Sequence, residues 1–166
     1  MGFTLRAVLD QVPASAAITV VDLNQAVVDW NRGALAPLAR FPLADERVRL
    51  VVADVARVIA NSRPGAYDAI LLDLYEGPHS AMNHARHPLY GSDALERTRS
   101  ALGPDGIFAV WSEESDPPFE ERLKVNGFMV KRHKSGKGGR LHFVYLAQVC
   151  ALPQDRLPAV DRGGSR

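Results

Sequence analysis

The chain has 166 residues, 46% of them hydrophobic and 23% charged, with 20 basic against 19 acidic side chains and a net charge of +1. This length suits one domain with a real core rather than two, and the near-zero balance gives no global pull towards nucleic acid or an acidic partner. Cys150 is the single cysteine, which excludes an internal disulfide and fits a reducing compartment. No apolar run approaches a membrane span and no signal pattern opens the chain. The expectation is a cytoplasmic domain with neither membrane nor nucleic-acid partner.

Phe3, Leu5, Val8 and Leu9 lie near helical spacing, and Pro13 ends that pattern. Ile18-Thr19-Val20-Val21 is a β-branched run that ends in Asp22 and reads as a strand. Asn24 is placed to cap a helix carrying Ala26, Val27, Trp30 and Leu35. After a loop from Phe41 to Arg47, Val48 to Val52 forms a second strand that runs into Asp54 and a helix through Val58 and Ile59. Asn61-Ser62-Arg63-Pro64-Gly65 is turn chemistry.

The next strand is the apolar run Ala69 to Leu72, of the kind buried on both faces. It meets a carboxylate, Asp73, where it should surface, followed by Tyr75, Glu76, Gly77 and Pro78. An acidic residue there either faces a ligand at the carboxyl end of a parallel strand or caps a turn. From Gly77 to Gly91 there is no periodicity, and a loop of that length inside a small domain is more often functional than idle. It holds His79, His84, His87, Met82 and Tyr90, but the histidines match no common ligand spacing, so no metal is expected.

Ser92 is expected to cap a helix through Leu95 and Leu102, closed by Gly103-Pro104-Asp105-Gly106, and Ile107 to Trp111 is a fourth strand. Asp116-Pro117-Pro118 starts a helix with Phe119 and Leu123. Phe128 to Val130 and Leu141 to Leu146 are the last strands, and the Gly-rich linker 134–140 makes them an antiparallel hairpin. The basic run from Lys131 to Arg140 reads as a solvated hairpin tip rather than a phosphate site. Trp30 and Trp111 are both expected in the core. The domain is thus 1–150, with 151–166 as a disordered tail poor in residues to bury. The fold class is α/β, a mixed and mostly parallel sheet covered by helices, with a C-terminal antiparallel pair.

Three successive strands end in a carboxylate, at Asp22, Asp54 and Asp73. Parallel strands share one carboxyl edge, so the three side chains should line one crevice. Asp22 is placed to accept both hydroxyls of a ribose, which points to a nucleoside-bearing cofactor. These segments, namely Val20-Val21-Asp22-Leu23-Asn24, Ala53-Asp54-Val55, Asp68 to Asp73 with Glu76 and Pro78, and Leu102 to Ile107, resemble the spermidine synthase (polyamine aminopropyltransferase) family. That family lies within the Rossmann-like S-adenosylmethionine-dependent methyltransferase fold, and the resemblance runs over roughly residues 2 to 148.

The resemblance implies that Asp22 binds the ribose, that Asp54 lies near the adenine amino group and that Asp73 is the catalytic carboxylate facing the reacting amine. It implies that Glu76 helps hold the amine. Tyr75 and Tyr90 either line the amine channel or pack the loop. The cofactor would be S-adenosylmethionine or its decarboxylated form, and the partner a small-molecule amine, with a homodimer as a further possibility. The family's first strand and its glycine-rich loop are missing apart from Gly2, which would be the last glycine of that loop. The strands ending at Asp22 and Asp73 should therefore flank an empty slot. The expectation is a chain shortened at its N-terminus, also lacking the β-rich segment that closes the polyamine site. Three activities follow: aminopropyl transfer, which the acidic pair Asp73 and Glu76 favours; methyl transfer; and a non-catalytic remnant that only binds nucleoside or dimerises.

Overall fold

A computed structural model describes residues 2–79, 86–136 and 141–150. His84, Met82 and the segment 151–166 lie outside the described residues, as do Lys137 and Arg140. In chain order the elements are α1 (Phe3–Leu9), β1 (Ile18–Asp22), α2 (Gln25–Arg32), β2 (Val48–Val52), α3 (Val55–Ala60) and β3 (Tyr67–Leu72). There follow α4 (Ser92–Ala101), β4 (Leu102–Ser112), α5 (Pro117–Val125), β5 (Phe128–Ser135) and β6 (His142–Val149). Two 3-10 turns, Ala36–Ala39 and Pro42–Ala44, occupy the connection between α2 and β2.

The strands form two sheets. β1 pairs in parallel with β2, from Ile18 opposite Val48 to Asp22 opposite Val52. The larger sheet has the order β3-β4-β6-β5, with β3 parallel to β4 and both remaining ladders antiparallel. β1 and β3 therefore each keep one edge without a ladder partner among the described residues, which agrees with the expected empty slot between them. The C-terminal hairpin is present, with Phe128 opposite Val149 and Ser135 opposite His142.

One face of the larger sheet carries the core. Ile70 and Leu72 of β3, Phe108 and Val110 of β4, and Tyr145 and Ala147 of β6 meet Leu95 and Ala101 of α4 and Phe119 and Leu123 of α5. The other face corrects the expectation that β3 is buried on both sides: Leu71 is 48% exposed, and Ile107, opposite Ala69 on the same face, 42%. Period-two alternation sends Ile70 and Leu72 one way and Leu71 the other. Trp30 corrects a second expectation, being 57% exposed rather than in the core. Val28 and Asn31 are the buried residues of α2, and Trp30 falls between them on the outer side of the helix. Trp111 is half-buried, its ring 5.3 Å from that of His142.

Local chemistry explains where three of the helices start. The Asn24 side chain accepts from the Ala26 amide to start α2, Asp54 does the same with Ala56 for α3, and Asp116 with Phe119 for α5. Ser92 does not cap α4; Gly91 holds the cap position and no side chain bonds there. Gly103-Pro104-Asp105-Gly106 is not a separate turn but the start of β4. There the register jumps from Tyr67 opposite Leu102 to Ala69 opposite Ile107. Turn residues have been absorbed as a bulge, with Asp105 at φ 60°.

Arg47 ties the end of α1 to the start of β2. Its guanidinium donates to the carbonyls of Leu9, Val12 and Pro13 and to both oxygens of Asp45. The side-chain bonds from Arg47 hold the Asp45 carboxyl down at about 2. A carboxylate lowered on folding contributes stability above its unfolded value near 3.8, and that stability is lost as pH falls towards about 2. Unfolding midpoints should therefore drop across this window, and Asp45→Asn should flatten that part of the profile. A pH dependence identical in wild type and variant would show that the pair contributes nothing.

Candidate active site

Asp22 and Asp54 stand at the ends of adjacent parallel strands, β1 and β2. The first oxygen of Asp22 accepts from the Asn24 amide at 2.8 Å, closing a local turn. Its second oxygen has no hydrogen-bond partner among the described residues. A carboxylate held by one oxygen and open at the other suits a vicinal diol. Asp54 is engaged as the cap of α3 through Oδ1, at 2.8 Å from the Ala56 amide, and its Oδ2 lies 4.0 Å from Nε of Arg57. It is half-exposed.

Asp73 follows β3 in the other sheet and is joined to the first helix. The Thr4 hydroxyl, in the first turn of α1, donates to Asp73 Oδ2 across 69 residues of sequence. Gly2, the N-cap of α1, has φ 74°, and a Cβ there would lie 3.1 Å from Pro42 Cγ and 3.2 Å from Asn31 Oδ1. The positive φ thus favours glycine, a Cβ would press on both neighbours, and Gly2 sits against α2 and the second 3-10 turn. Nothing in the local sequence marks Thr4 as a partner of Asp73, because the contact exists only once the sheets are assembled.

The acidic loop after Asp73 is held from beneath. Tyr90 is buried, its hydroxyl donating to the Glu76 carbonyl at 3.1 Å. Burial, and secondarily the Glu76 charge, push the Tyr90 phenol up to about 12. Of its two readings, Tyr90 takes loop packing. Tyr75 is 92% exposed and reaches solvent. The Glu76 side chain is also largely exposed, with Nε2 of His79 at 4.0 Å from its Oε2. His87 stacks on Tyr90, ring centroids 5.1 Å apart, and its Nδ1 accepts from the Leu89 and Tyr90 amides. Among the described residues no group of three His, Cys, Asp or Glu is placed to hold a metal ion, and no helix is long and apolar enough to cross a membrane.

A family model described as "Spermine/spermidine synthase domain" matches residues 2–129. The chain belongs to the spermine/spermidine synthase family. The matched stretch contains Asp22, Asp54, Asp73, Glu76 and Tyr90, and it ends where β5 begins. Putrescine N-methyltransferase 3 of Nicotiana tabacum is 31% identical over 113 residues, which is 68% of this chain and 28% of that enzyme. The spermidine synthase of Thermotoga maritima superposes with a TM-score of 0.66 at 18% identity, over 89% of this chain and 50% of that one. A spermidine synthase in complex with the transition-state analogue AdoDATO gives 0.71 at 17% identity, over 89% and 51%. The chain thus spans just over a quarter of the curated relative's length and about half of each synthase. The fold is the Rossmann-like one that spermidine synthases share with S-adenosylmethionine-dependent methyltransferases.

Proposed function

We propose that the chain carries the group-transfer site of a spermidine synthase-like transferase, moving an aminopropyl group from decarboxylated S-adenosylmethionine to an aliphatic polyamine. One observation carries this reading. Asp73 stands at the carboxyl end of a parallel strand, oriented by Thr4, with a second carboxylate three residues on. Two carboxylates on one short loop suit a cationic amine acceptor, one receiving a proton and the other holding an ammonium charge.

The donor, when bound, supplies an electrophilic carbon attached to a sulfonium, which becomes a neutral thioether as the carbon–sulfur bond breaks. The chain's own residues do the rest. Asp22 offers its open carboxylate oxygen to the ribose hydroxyls, and Asp54 lies one strand further along the same edge. Thr4 fixes Oδ2 of Asp73, leaving Oδ1 to take the proton from the attacking ammonium. The amine then uses its freed lone pair to form the new carbon–nitrogen bond. Glu76 holds the far ammonium of the acceptor from its place on the exposed loop.

A second reading, N-methyl transfer from S-adenosylmethionine itself, is favoured by the 31% identity to a tobacco putrescine N-methyltransferase. Both readings need the same acceptor charge and the same base. Incubating the protein with putrescine and each donor in turn, then weighing the product, separates them: aminopropyl gain with the decarboxylated donor supports the first reading. Methyl gain with the intact donor alone would replace it with the second. No product with either, from folded protein that binds methylthioadenosine, would leave a binding domain without catalysis.

A further inference from the structure

The Glu76 loop is fixed by its backbone while its side chain points to solvent, and three independent contacts do the fixing. The Tyr90 hydroxyl, on a ring 1% exposed, donates to the Glu76 carbonyl at 3.1 Å. Ser112, also 1% exposed and the last residue of β4, shares its one hydroxyl proton between the Glu114 carbonyl at 2.7 Å and the Pro78 carbonyl at 3.2 Å, and so joins the two loops. A Cβ on Gly77 would fall 2.6 Å from both the Ser112 Cα and the Trp111 carbonyl oxygen, so only glycine lets the loop lie this close to the strand. Pro78 is fully buried. Phe119 meets the Tyr90 ring edge-on at 5.5 Å, and His87 stacks on its face, so the ring is packed from two sides.

We propose that Tyr90 and Ser112 are positioning residues for the acceptor: the Tyr90 hydroxyl holds the Glu76 carbonyl, Ser112 at the end of β4 seats Pro78, and together they set how far the Glu76 carboxylate stands from Asp73. That spacing would select an amine carrying a second ammonium group at matching reach. This inference rests on the proposed amine-transfer site. The raised Tyr90 phenol agrees with it, because a hydroxyl that stays protonated remains a donor to the Glu76 carbonyl throughout the neutral and alkaline range. Neither residue touches the acceptor. Each acts through the backbone of the loop.

The test is a calorimetric titration of putrescine into the full chain saturated with methylthioadenosine, for wild type, Tyr90→Phe, Ser112→Ala and Glu76→Gln. Each hydroxyl deletion should weaken putrescine binding by about tenfold, as expected for one buried hydrogen bond, with methylthioadenosine affinity unchanged. A monoamine of the same carbon length, lacking the second ammonium, should bind wild type and the hydroxyl variants equally. Tyr90→Phe combined with Glu76→Gln should cost no more than Glu76→Gln alone, since both act on one contact. Equal putrescine affinity in wild type and both hydroxyl variants would overturn the clamp while leaving the transfer site standing, as would additive losses in the double variant or equal weakening of the monoamine. Failure of wild type itself to bind putrescine would overturn the amine site, and the clamp with it.

Discussion

Asp73→Asn should lower the rate of group transfer by about 10²–10⁴-fold, the usual contribution of a positioned base, with methylthioadenosine binding unchanged. The expectation follows from where the carboxylate stands. It follows β3, an edge strand of the larger sheet that runs parallel to β4, and one oxygen is occupied by the Thr4 hydroxyl. Asparagine keeps the size and can still accept from Thr4, so the nucleoside side of the site is preserved while the proton acceptor is lost. The loss should fall on kcat more than on the donor's KM, as it does when an interaction made only in the transition state is removed. Rates read from single-turnover product mass would settle it, and an unchanged rate would take Asp73 out of the base role. Thr4→Val, which leaves the carboxylate in place but unoriented, should give a smaller loss in the same direction.

Phe119→Ala should cost about 3–5 kcal/mol of folding stability, the range for a buried phenylalanine truncated in a packed core. Phe119 is fully buried and makes edge contacts with Tyr90 at 5.5 Å and Tyr145 at 5.3 Å. The Arg122 guanidinium lies 5.7 Å from its ring centre. It thus joins α5 to both the central strands and the residue that holds the acidic loop. Against a total of about 5–15 kcal/mol for a domain, about a fifth or more of the stability would go. Urea unfolding followed by circular dichroism measures it, and a loss below about 1 kcal/mol, the ordinary effect of a surface change, would show that the region is loosely packed. Because Tyr90 loses its edge contact too, putrescine affinity should fall in any folded Phe119→Ala protein.

Much of this was legible in the sequence where the signal is local. Val20-Val21-Asp22, Val51-Val52 before Asp54, and Leu71-Leu72-Asp73 each show a strand running into a polar end, and each of these strands formed. Asn24 caps α2 as expected, because a cap needs only its own next few residues, whereas Ser92 does not cap α4, and Asp54 and Asp116 cap helices for which the sequence reading assigns no cap. The split between β1 and β3 was also foreseeable, from the resemblance, which implies a strand between them that the described residues do not supply. Face-dependent properties were less accessible. Trp30 sits in an amphipathic helix, but its spacing does not say which side meets the sheet until Val28 and Asn31 are seen to take the inner positions. Leu71 reads as buried because apolar runs usually are; its exposure depends on what covers the second face of β3.

Contacts distant in sequence were not legible at all. Thr4 to Asp73 spans 69 residues, Ser112 to Pro78 34, and Tyr90 to Glu76 14. Each involves a hydroxyl residue that carries no motif of its own. The Gly103 to Gly106 segment shows a subtler limit: its turn residues were visible, yet they serve as a bulge because the pairing of β3 with β4 begins before them. Acidic pattern therefore located the candidate site, and tertiary assembly supplied the groups that orient it.

Titrating methylthioadenosine into wild-type protein and into Asp22→Ala protein, by calorimetry, tests the central claim most directly, since it asks whether this carboxyl edge binds a nucleoside through the open oxygen of Asp22. The account predicts saturable binding to wild type at one site, weakened in the variant by about tenfold or more, as loss of hydrogen bonds to a charged acceptor implies. Folded wild-type protein that shows no binding, or a variant that binds as tightly as wild type, would contradict it.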